Sequence, residues 1–317
     1  MTVHNRHNEE IAVPRVLLLG ATGFIGRHVH RRLTERAGLE VVTVARGPLP
    51  SSAWHIQLDL TAENAHPIGG LLARTAPDIV INCAGLVGGD PADLAACNID
   101  LPAALVRAAL CGPARVRLVH LGSAAEYGRV VTGEPVTEQT PTRPVGVYGI
   151  TKLAASRLVC LARVAGLDAV VLRVFNPIGP GSPPGNVAGR LAQELLRAQA
   201  EGDEVRLGPL SAVRDFIDVR DVAEAVYAAA LAPEIGDPVL NVGSGEGVTV
   251  GELAKALTGT AGYTGPIRQA DAGSARSAEV PWQQADISAI GKALDWRPAI
   301  DLATSLSDLW QEAQCRT

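Results

Sequence analysis

The chain has 317 residues, of which 47% are hydrophobic and 19% charged, and its formal net charge is −5. This composition supports a sizeable core in one large domain or two modest ones. The sequence has no Lys/Arg-rich run, which argues against a nucleic-acid partner and favours a small molecule. No apolar run reaches the roughly 18 residues of a membrane span and the five cysteines are scattered, which predicts a cytoplasmic protein with reduced thiols and no metal site.

Apolar runs of strand length alternate with helix-like segments through the first half of the chain. The predicted strands are residues 15–19, 40–45, 55–58, 78–82, 117–121 and 169–174. The predicted helices are residues 24–37, a stretch around 69–74, 94–110 and 148–165. Continuous Val/Ile/Leu runs indicate strands that are buried on both faces, so the alternation predicts an α/β fold with a doubly wound parallel sheet.

The pattern changes at residues 176–186, NPIGPGSPPGN, whose proline and glycine content predicts a loop. Helices are predicted after it at 187–200, from about 219, and at 250–257, 287–294 and 302–313. Short strands are predicted near 205–207 and 239–242, and residues 258–281 are expected to be irregular. We therefore expect a smaller α/β lobe formed by residues 176–211 and 246–317, while residues 212–245 return to the main sheet.

Glycines recur at every third position between the first strand and the first helix, at Gly20, Gly23 and Gly26 in GATGFIG. Gly20 permits a tight turn, Gly23 lets the backbone approach a pyrophosphate, and Gly26 allows the helix to pack on the strand. The helix N-terminus then presents N–H groups to the phosphates. These features favour a dinucleotide-binding Rossmann domain over residues 14–175 rather than a glycine turn without a ligand. The polar segment before it lacks a signal-peptide core and predicts a disordered tail over residues 1–13.

The end of the second strand bears on the choice of cofactor. NAD sites usually have an acidic residue there, whereas this strand ends in Ala45 and Arg46. A guanidinium suits a 2′-phosphate, so Arg46 favours NADP(H) over NAD(H), unless it is only a solvated surface residue. Asp59, after the third strand, is a candidate to bind the adenine amino group or to cap the next turn.

Three residues are candidates for catalysis. Tyr148 and Lys152 lie four residues apart at the start of a helix and therefore on one face of it. The reference pKa of tyrosine is about 10, and a neighbouring ammonium lowers it, which makes such a pair a usable general acid/base. Ser123 follows the fifth strand, where its hydroxyl can hold a substrate oxygen. Each feature alone is more often structural.

Taken together, these segments and several others resemble the extended short-chain dehydrogenase/reductase family, the NAD-dependent epimerase/dehydratase group. The matching segments are GATGFIG, LDL, NCAG (82–85), Asn98, GSAAEYG, YGITK, RVFNPIGPG (173–181), RDFIDVRDVAEA (214–225), NVGSGEGVTV (241–250) and LDWRP (294–298). They run from about residue 15 to the C-terminus in the family's order, so the resemblance is highly specific.

The resemblance implies a role for each matching position. Tyr148 would be the catalytic acid/base, Lys152 its partner and a ligand of the nicotinamide ribose, and Ser123 the third member of the triad. The residues implied around the cofactor are Gly20, Thr22, Gly23, Phe24, Ile25, Gly26, Arg46, Asp59, Leu60, Cys83, Ala84, Gly85, Tyr148 and Lys152. Those implied around a nucleotide-sugar are Ser123, Ala124, Asn176, Arg214 and Arg276, the two arginines as diphosphate and ribose clamps.

Departures from the family pattern narrow the reaction. Sugar dehydratases of the family carry an Asp-Glu pair after the Ser/Thr, where this chain has Ala124 and Ala125, and Glu126 is expected to point elsewhere. Asp218 stands where many relatives have His, at a position that is not catalytic.

Three functions stay open at this point. The first is an NADP(H)-dependent reductase of a nucleotide-activated keto-sugar, which Arg46 favours. The alternative is a nucleotide-sugar epimerase that retains NAD. The third is a non-catalytic dinucleotide sensor, which is disfavoured because a sensor has no need of Ser123, Tyr148 and Lys152. A non-sugar carbonyl substrate is also open. The resemblance further implies a homodimer formed through helices 94–110 and 148–165, whose apolar faces would equally suit a core.

Overall fold

The computed structural model describes residues 13–60, 67–112, 115–269 and 280–316. The tail predicted over residues 1–13 lies outside these ranges except for Val13. In chain order the strands are β1 (Arg15–Leu19), β2 (Glu40–Ala45), β3 (Trp54–Gln57), β4 (Ile79–Asn82), β5 (Arg117–Ser123), β6 (Asp168–Val174), β7 (Asn176–Ile178), β8 (Val205–Leu207), β9 (Val213–Asp218), β10 (Val239–Val242), β11 (Gly247–Thr249), β12 (Ile267–Gln269) and β13 (Trp282–Gln283).

The helices alternate with these strands along the chain. They are α1 (Phe24–Thr34), α2 (Pro67–Thr75), α3 (Pro91–Ala95), α4 (Leu101–Cys111), α5 (Val147–Val164), α6 (Val187–Glu201), α7 (Val219–Leu231), α8 (Val250–Thr260), α9 (Ser288–Leu294) and α10 (Leu302–Cys315). A π-helical turn, Ala96–Asp100, joins α3 to α4, so the predicted helix 94–110 is part of one longer helical stretch.

A seven-stranded parallel sheet forms the main body, in the order β10-β6-β5-β4-β1-β2-β3. Helices α1, α7 and α9 cover one face and α2, α4 and α5 the other, with a separate apolar core on each side. The prediction that residues 246–317 all belong to the smaller lobe was therefore wrong for α9, whose Ile290 is buried against the main sheet. Residues 16–19 of β1 are fully buried, as the unbroken apolar run predicted. The doubly wound α/β sheet is thereby confirmed. Its strand order reverses at β1 and β4, which opens a crevice at the carboxyl edge.

The smaller lobe has its own core, formed by α6, α8 and α10 around residues such as Leu195, Leu253 and Trp310. Its strands form a sheet of β11, β9 and β13 with β7 added beside β9, and a separate pair of β8 and β12.

Three sequence predictions about strands were wrong. Strand β9, within residues 212–245, does not return to the main sheet, because β7, β11 and β13 pair with it instead; only α7 and β10 return. Residues 176–178 of the predicted loop form β7, and β12 lies in the stretch expected to be irregular. In each case the strand exists because a partner distant in sequence supplies its hydrogen bonds.

Within the part of the chain that the structure describes, one helical stretch, Pro91–Cys111, is long and apolar enough to cross a membrane by length and composition. Leu94, Leu101 and Leu105 of this stretch are at most 5% exposed, and α4 packs against α2 and α5. Packing in the protein interior accounts for its apolar character.

Candidate active site

The glycine turn between β1 and α1 is shaped by close backbone contacts. Gly20 has φ +75°, and a Cβ there would lie 2.7 Å from the backbone nitrogen of Ala84. A Cβ on Gly26 would overlap the carbonyl oxygen of Gly20. Gly23 is the N-cap of α1 and the first turn contains no acidic residue, so neither a capping side chain nor a carboxylate of this turn competes with an anion there. The turn therefore fits an anionic phosphate against the N-terminus of α1.

The other residues predicted for the cofactor lie at the same sheet edge. Arg46 follows β2 and is exposed, Asp59 follows β3 and is exposed, and the neighbouring Leu60 is buried. Burial raises the pKa of the nearby Cys97 thiol, and the charges of Lys152 and then Arg46 act to lower it.

The remaining cofactor candidates complete this edge. Cys83, Ala84 and Gly85 follow β4 and are partly or fully exposed, as are Thr22, Phe24 and Ile25 at the start of α1. Burial raises the pKa of Cys83 to about 12, which makes its thiol a weak nucleophile at neutral pH.

Ser123 is the last residue of β5 and the N-cap of a short 3₁₀ turn, Ala124–Glu126. Its Oγ accepts a hydrogen bond from the backbone N–H of Ala125 at 3.2 Å, which leaves the hydroxyl hydrogen to be donated elsewhere. Gln283, a buried residue of β13, donates from Nε2 to the carbonyl oxygen of Ala124 at 2.9 Å. Sequence reasoning missed this contact, since nothing near Gln283 indicates a partner 159 residues away.

Tyr148 and Lys152 lie one turn apart on α5, which begins against the turn that carries Ser123. A Cβ on Gly149 would lie 2.6 Å from the carbonyl oxygen of Ala125, so only glycine permits this approach. Lys152 is buried, and its Nζ donates to the carbonyl oxygen of Leu121 in β5 at 2.5 Å. The structure thus brings Ser123 and Lys152 to adjoining positions at the end of β5, with the half-buried Tyr148 at the start of the same helix.

Asn98, in the π-helical turn, ties α5 to the loop after β4. Its Nδ2 donates to the carbonyl oxygen of Leu86 at 2.9 Å and to Thr151 Oγ1 at 3.1 Å, and its Oδ1 accepts from the Leu86 N–H. Thr151 Oγ1 in turn donates to the carbonyl oxygen of Tyr148. The sequence marked Asn98 only as part of the resemblance, whereas its contacts make it a support for the Tyr148 helix.

The residues predicted for substrate lie beyond β6 and on β9. Ser123 is in register with Val174, and Asn176 follows two residues later, where its Nδ2 donates to the carbonyl oxygen of Asp215 at 2.8 Å. Arg214 is half-buried and donates to the carbonyl oxygen of Val213, and burial lowers the pKa of its guanidinium. Arg276 lies outside the described residues. Over residues 13–60, 67–112, 115–269 and 280–316, no group of three or more His, Cys, Asp or Glu side chains could hold a metal ion.

Residues 16–243 match the family model described as the NAD dependent epimerase/dehydratase family. The chain belongs to this family. As an extended short-chain dehydrogenase/reductase it is an enzyme of a group of NAD(P)-dependent oxidoreductases and epimerases. The glycine turn and the uncapped N-terminus of α1 fit the dinucleotide that this membership implies.

The relatives of this short-chain dehydrogenase/reductase catalyse more than one reaction. It is 36% identical to dTDP-6-deoxy-L-talose 4-dehydrogenase (NAD(P)(+)) from Kitasatospora kifunensis, over 94% of this chain and 95% of that protein. It is similar in structure to a UDP-glucose 4-epimerase from Thermotoga maritima solved with UDP-glucose, with 26% identity, a TM-score of 0.85 and coverage of 95% and 99%. It is also similar to RMD from Pseudomonas aeruginosa solved with NADPH, with 25% identity, a TM-score of 0.82 and coverage of 96% and 100%.

Proposed function

We propose that the protein is an NADP(H)-dependent reductase of a nucleotide-activated keto-sugar, working in the cytoplasm. The observation that carries this proposal is the junction of β5 and α5. There contacts to the end of β5 hold the buried Lys152 ammonium and a Ser123 hydroxyl whose hydrogen is free to donate, and Tyr148 lies one turn before Lys152 on the same helix. The identity to a nucleotide-sugar 4-dehydrogenase favours a 4-keto-6-deoxyhexose as the sugar.

The residues divide the reaction between them. When bound, the nicotinamide supplies the hydride that the carbonyl carbon accepts. The Ser123 hydroxyl donates a hydrogen bond to the carbonyl oxygen, and Tyr148 donates the proton that converts this oxygen to a hydroxyl. Lys152, held at the Leu121 carbonyl, keeps a positive charge beside the phenol and stabilises the phenolate that is left.

The residues after Ser123 argue against dehydration. Elimination of water needs a further acid and base, and methyl groups stand at Ala124 and Ala125 instead. Glu126, as predicted, points elsewhere, because its carboxylate is fully buried and paired with Arg173.

An epimerase is the second candidate, favoured by the similarity to the UDP-glucose 4-epimerase. An epimerase oxidises and re-reduces one substrate and therefore retains its dinucleotide through the cycle. Protein purified with bound NAD, and inactive as an NADPH oxidase with 4-keto sugar nucleotides, would favour this candidate over the reductase.

Cofactor choice is expected to depend on Arg46. Arg46→Asp should lower kcat/KM for NADPH relative to NADH by about ten- to a hundredfold, because a charge-assisted bond to a 2′-phosphate is worth about 1.5–3 kcal/mol. Steady-state kinetics with both cofactors measures the ratio. Arg115→Asp, an exposed arginine before the amino end of β5, is the matched control and should leave it unchanged. An unchanged ratio in Arg46→Asp would refute the assignment of NADP(H) to this residue.

Arg214 is expected to bind the substrate diphosphate together with Asn176 and Arg276. Arg214→Lys should raise the KM for the nucleotide-sugar about tenfold with kcat nearly constant, since lysine keeps the charge but loses bidentate geometry. Arg206→Lys on β8 of the same lobe, an exposed residue, is the control for a general charge effect. Equal KM values in the two variants would remove Arg214 from the substrate site.

We propose that the protein forms a homodimer whose interface is made by α4 and α5. Ile150, Leu161 and Val164 of α5 are 53%, 66% and 87% exposed, which is unusual for large apolar side chains of one helix. Sedimentation of the purified protein at the mass of two chains would support this arrangement, and Leu161→Glu should then shift it to monomer.

A further inference from the structure

Glu126 has a buried carboxylate that contacts Ser123, one of the proposed catalytic residues. Its side chain is 0% exposed. It accepts hydrogen bonds from three elements, β5, α5 and β6. Oε1 accepts from the backbone N–H of Ser123 and from Ser156 Oγ, both at 2.8 Å. Oε2 accepts from Arg173 Nε of β6 at 2.7 Å. One carboxylate therefore joins β5, α5 and β6.

The first consequence concerns the orientation of Ser123. The bond from Ser123 N–H to Glu126 and the bond from Ala125 N–H to Ser123 Oγ together fix the backbone and the side chain of this residue. Gly122 makes room for the arrangement, since a Cβ there would lie 2.6 Å from Glu126 Oε1. A serine held from both sides loses little entropy when its hydroxyl meets a substrate oxygen.

The second consequence concerns charge. Arg173 is also buried, with its side chain 4% exposed, and lies 4.6 Å over the ring of Tyr127. Burial lowers the pKa of Lys152, and the Glu126 carboxylate acts against it by raising that pKa; Cys97 and Cys83 act in the same sense more weakly. Burial, and then Lys152 itself, lower the pKa of the neighbouring His120 well below its usual value, and the Tyr148 side chain lies one turn before Lys152 on the same helix. Ser156, which donates to Glu126 Oε1, lies one helical turn after Lys152 on α5, and Lys152 Nζ bonds to Leu121 of the strand whose last residue, Ser123, donates to the same carboxylate. Glu126 is therefore a buried negative charge that is paired with Arg173 and placed near Lys152.

We propose that Glu126 is a positioning residue of the enzyme, which fixes Ser123 for its contact with substrate and supplies a buried negative charge beside Lys152. The kinetic part rests on the proposed function, whereas the effect on Lys152 does not.

The charge role can be measured without substrate or cofactor, because the chain contains only three lysines, Lys152, Lys255 and Lys292. Side-chain NMR of protein labelled in lysine gives three signals, with Lys152→Met used to assign one and the exposed Lys255 and Lys292 as references. Glu126→Gln should move the titration midpoint of Lys152 to lower pH. Glu138→Gln removes another partly buried carboxylate, one that accepts from the Asn241 N–H instead, and should not move it.

The positioning role is tested by pairing Glu126→Gln with Glu126→Asp. Aspartate keeps the charge but is too short to reach both Ser123 and Arg173, so it should lower kcat by up to about 100-fold while the Lys152 midpoint stays near that of the wild type. Glu126→Gln should lower both kcat and the titration midpoint of Lys152, and the KM for NADPH should stay constant in both variants. Circular dichroism and thermal unfolding establish that each variant is folded, and the aspartate variant carries the test if glutamine is not accommodated.

Two results would overturn the proposal. One is a Lys152 midpoint that is the same in folded Glu126→Gln as in the wild type; the other is wild-type kcat in both Glu126 variants. If the wild type reduces no keto-sugar at all, the proposed function fails, and the Lys152 midpoint still decides the role of the Glu126 charge.

Discussion

Tyr148→Phe is expected to lower kcat for keto-sugar reduction by about 10²- to 10⁴-fold, the usual contribution of a positioned general acid. The substitution removes one hydroxyl from a half-buried ring and keeps the contacts of Gly149, Thr151 and Lys152 that place α5. The KM for NADPH should change far less than kcat, because Tyr148 is one of several residues implied around the cofactor. Steady-state kinetics with a 4-keto sugar nucleotide provides both quantities.

Tyr227→Phe is the matched control for this prediction. Tyr227 lies on the opposite face of the sheet, where Arg32 packs over its ring, and phenylalanine keeps that ring. The Tyr227→Phe variant should retain the kcat of the wild type. Tyr148→Phe with wild-type kcat would exclude Tyr148 as the acid, and a wild type that binds NADPH but turns over no carbonyl substrate would favour the sensor.

The main sheet could be predicted because its signals are local. Strand residues such as 16–19 and 79–81 are unbroken apolar runs, and β1, β3, β4 and β5 are each followed by a helix before the next strand. The short strands β7 and β12 have no such run, and in β9 the charged Arg214 and Asp215 separate Val213 from Phe216. The partners of these strands lie about 30 to 70 residues away, which a single sequence does not reveal.

The candidate site divides in the same way. The glycine turn and the spacing of Tyr148 and Lys152 are local patterns, and the structure places them at one sheet edge. The contacts that support them were invisible in the sequence. Arg173 binds Glu126 across 47 residues, and Arg27 of α1 donates to the carbonyl oxygen of Gly181, 154 residues away in the smaller lobe. Such contacts follow from the topology rather than from any motif.

Asp215 is the residue whose loss should most reduce stability. Its side chain is fully buried on β9, and its carboxylate accepts four hydrogen bonds: from the backbone N–H of Ser244 at 2.6 Å, Ser244 Oγ at 2.8 Å, the Gly245 N–H at 2.9 Å and the Ala285 N–H at 3.1 Å. These donors belong to the loop after β10 and to the segment after β13, so one side chain fastens the main sheet to the smaller lobe. Burial raises the pKa of Asp215, while the four donors act to lower it.

Asp215→Ala should lower the free energy of unfolding by about 3 kcal/mol or more, since buried donors left without an acceptor cost about 1–3 kcal/mol each and relaxation satisfies some of them. Urea unfolding at neutral pH measures the change, with Asp237→Ala, an exposed aspartate before β10, as the control that should cost less than about 0.5 kcal/mol. Asp215→Asn keeps one acceptor oxygen but turns an amide N–H towards the other donors. Its decrease in the free energy of unfolding should therefore lie between those of Asp215→Ala and Asp237→Ala. Equal stabilities of Asp215→Ala and Asp237→Ala would show that the junction is held by packing alone.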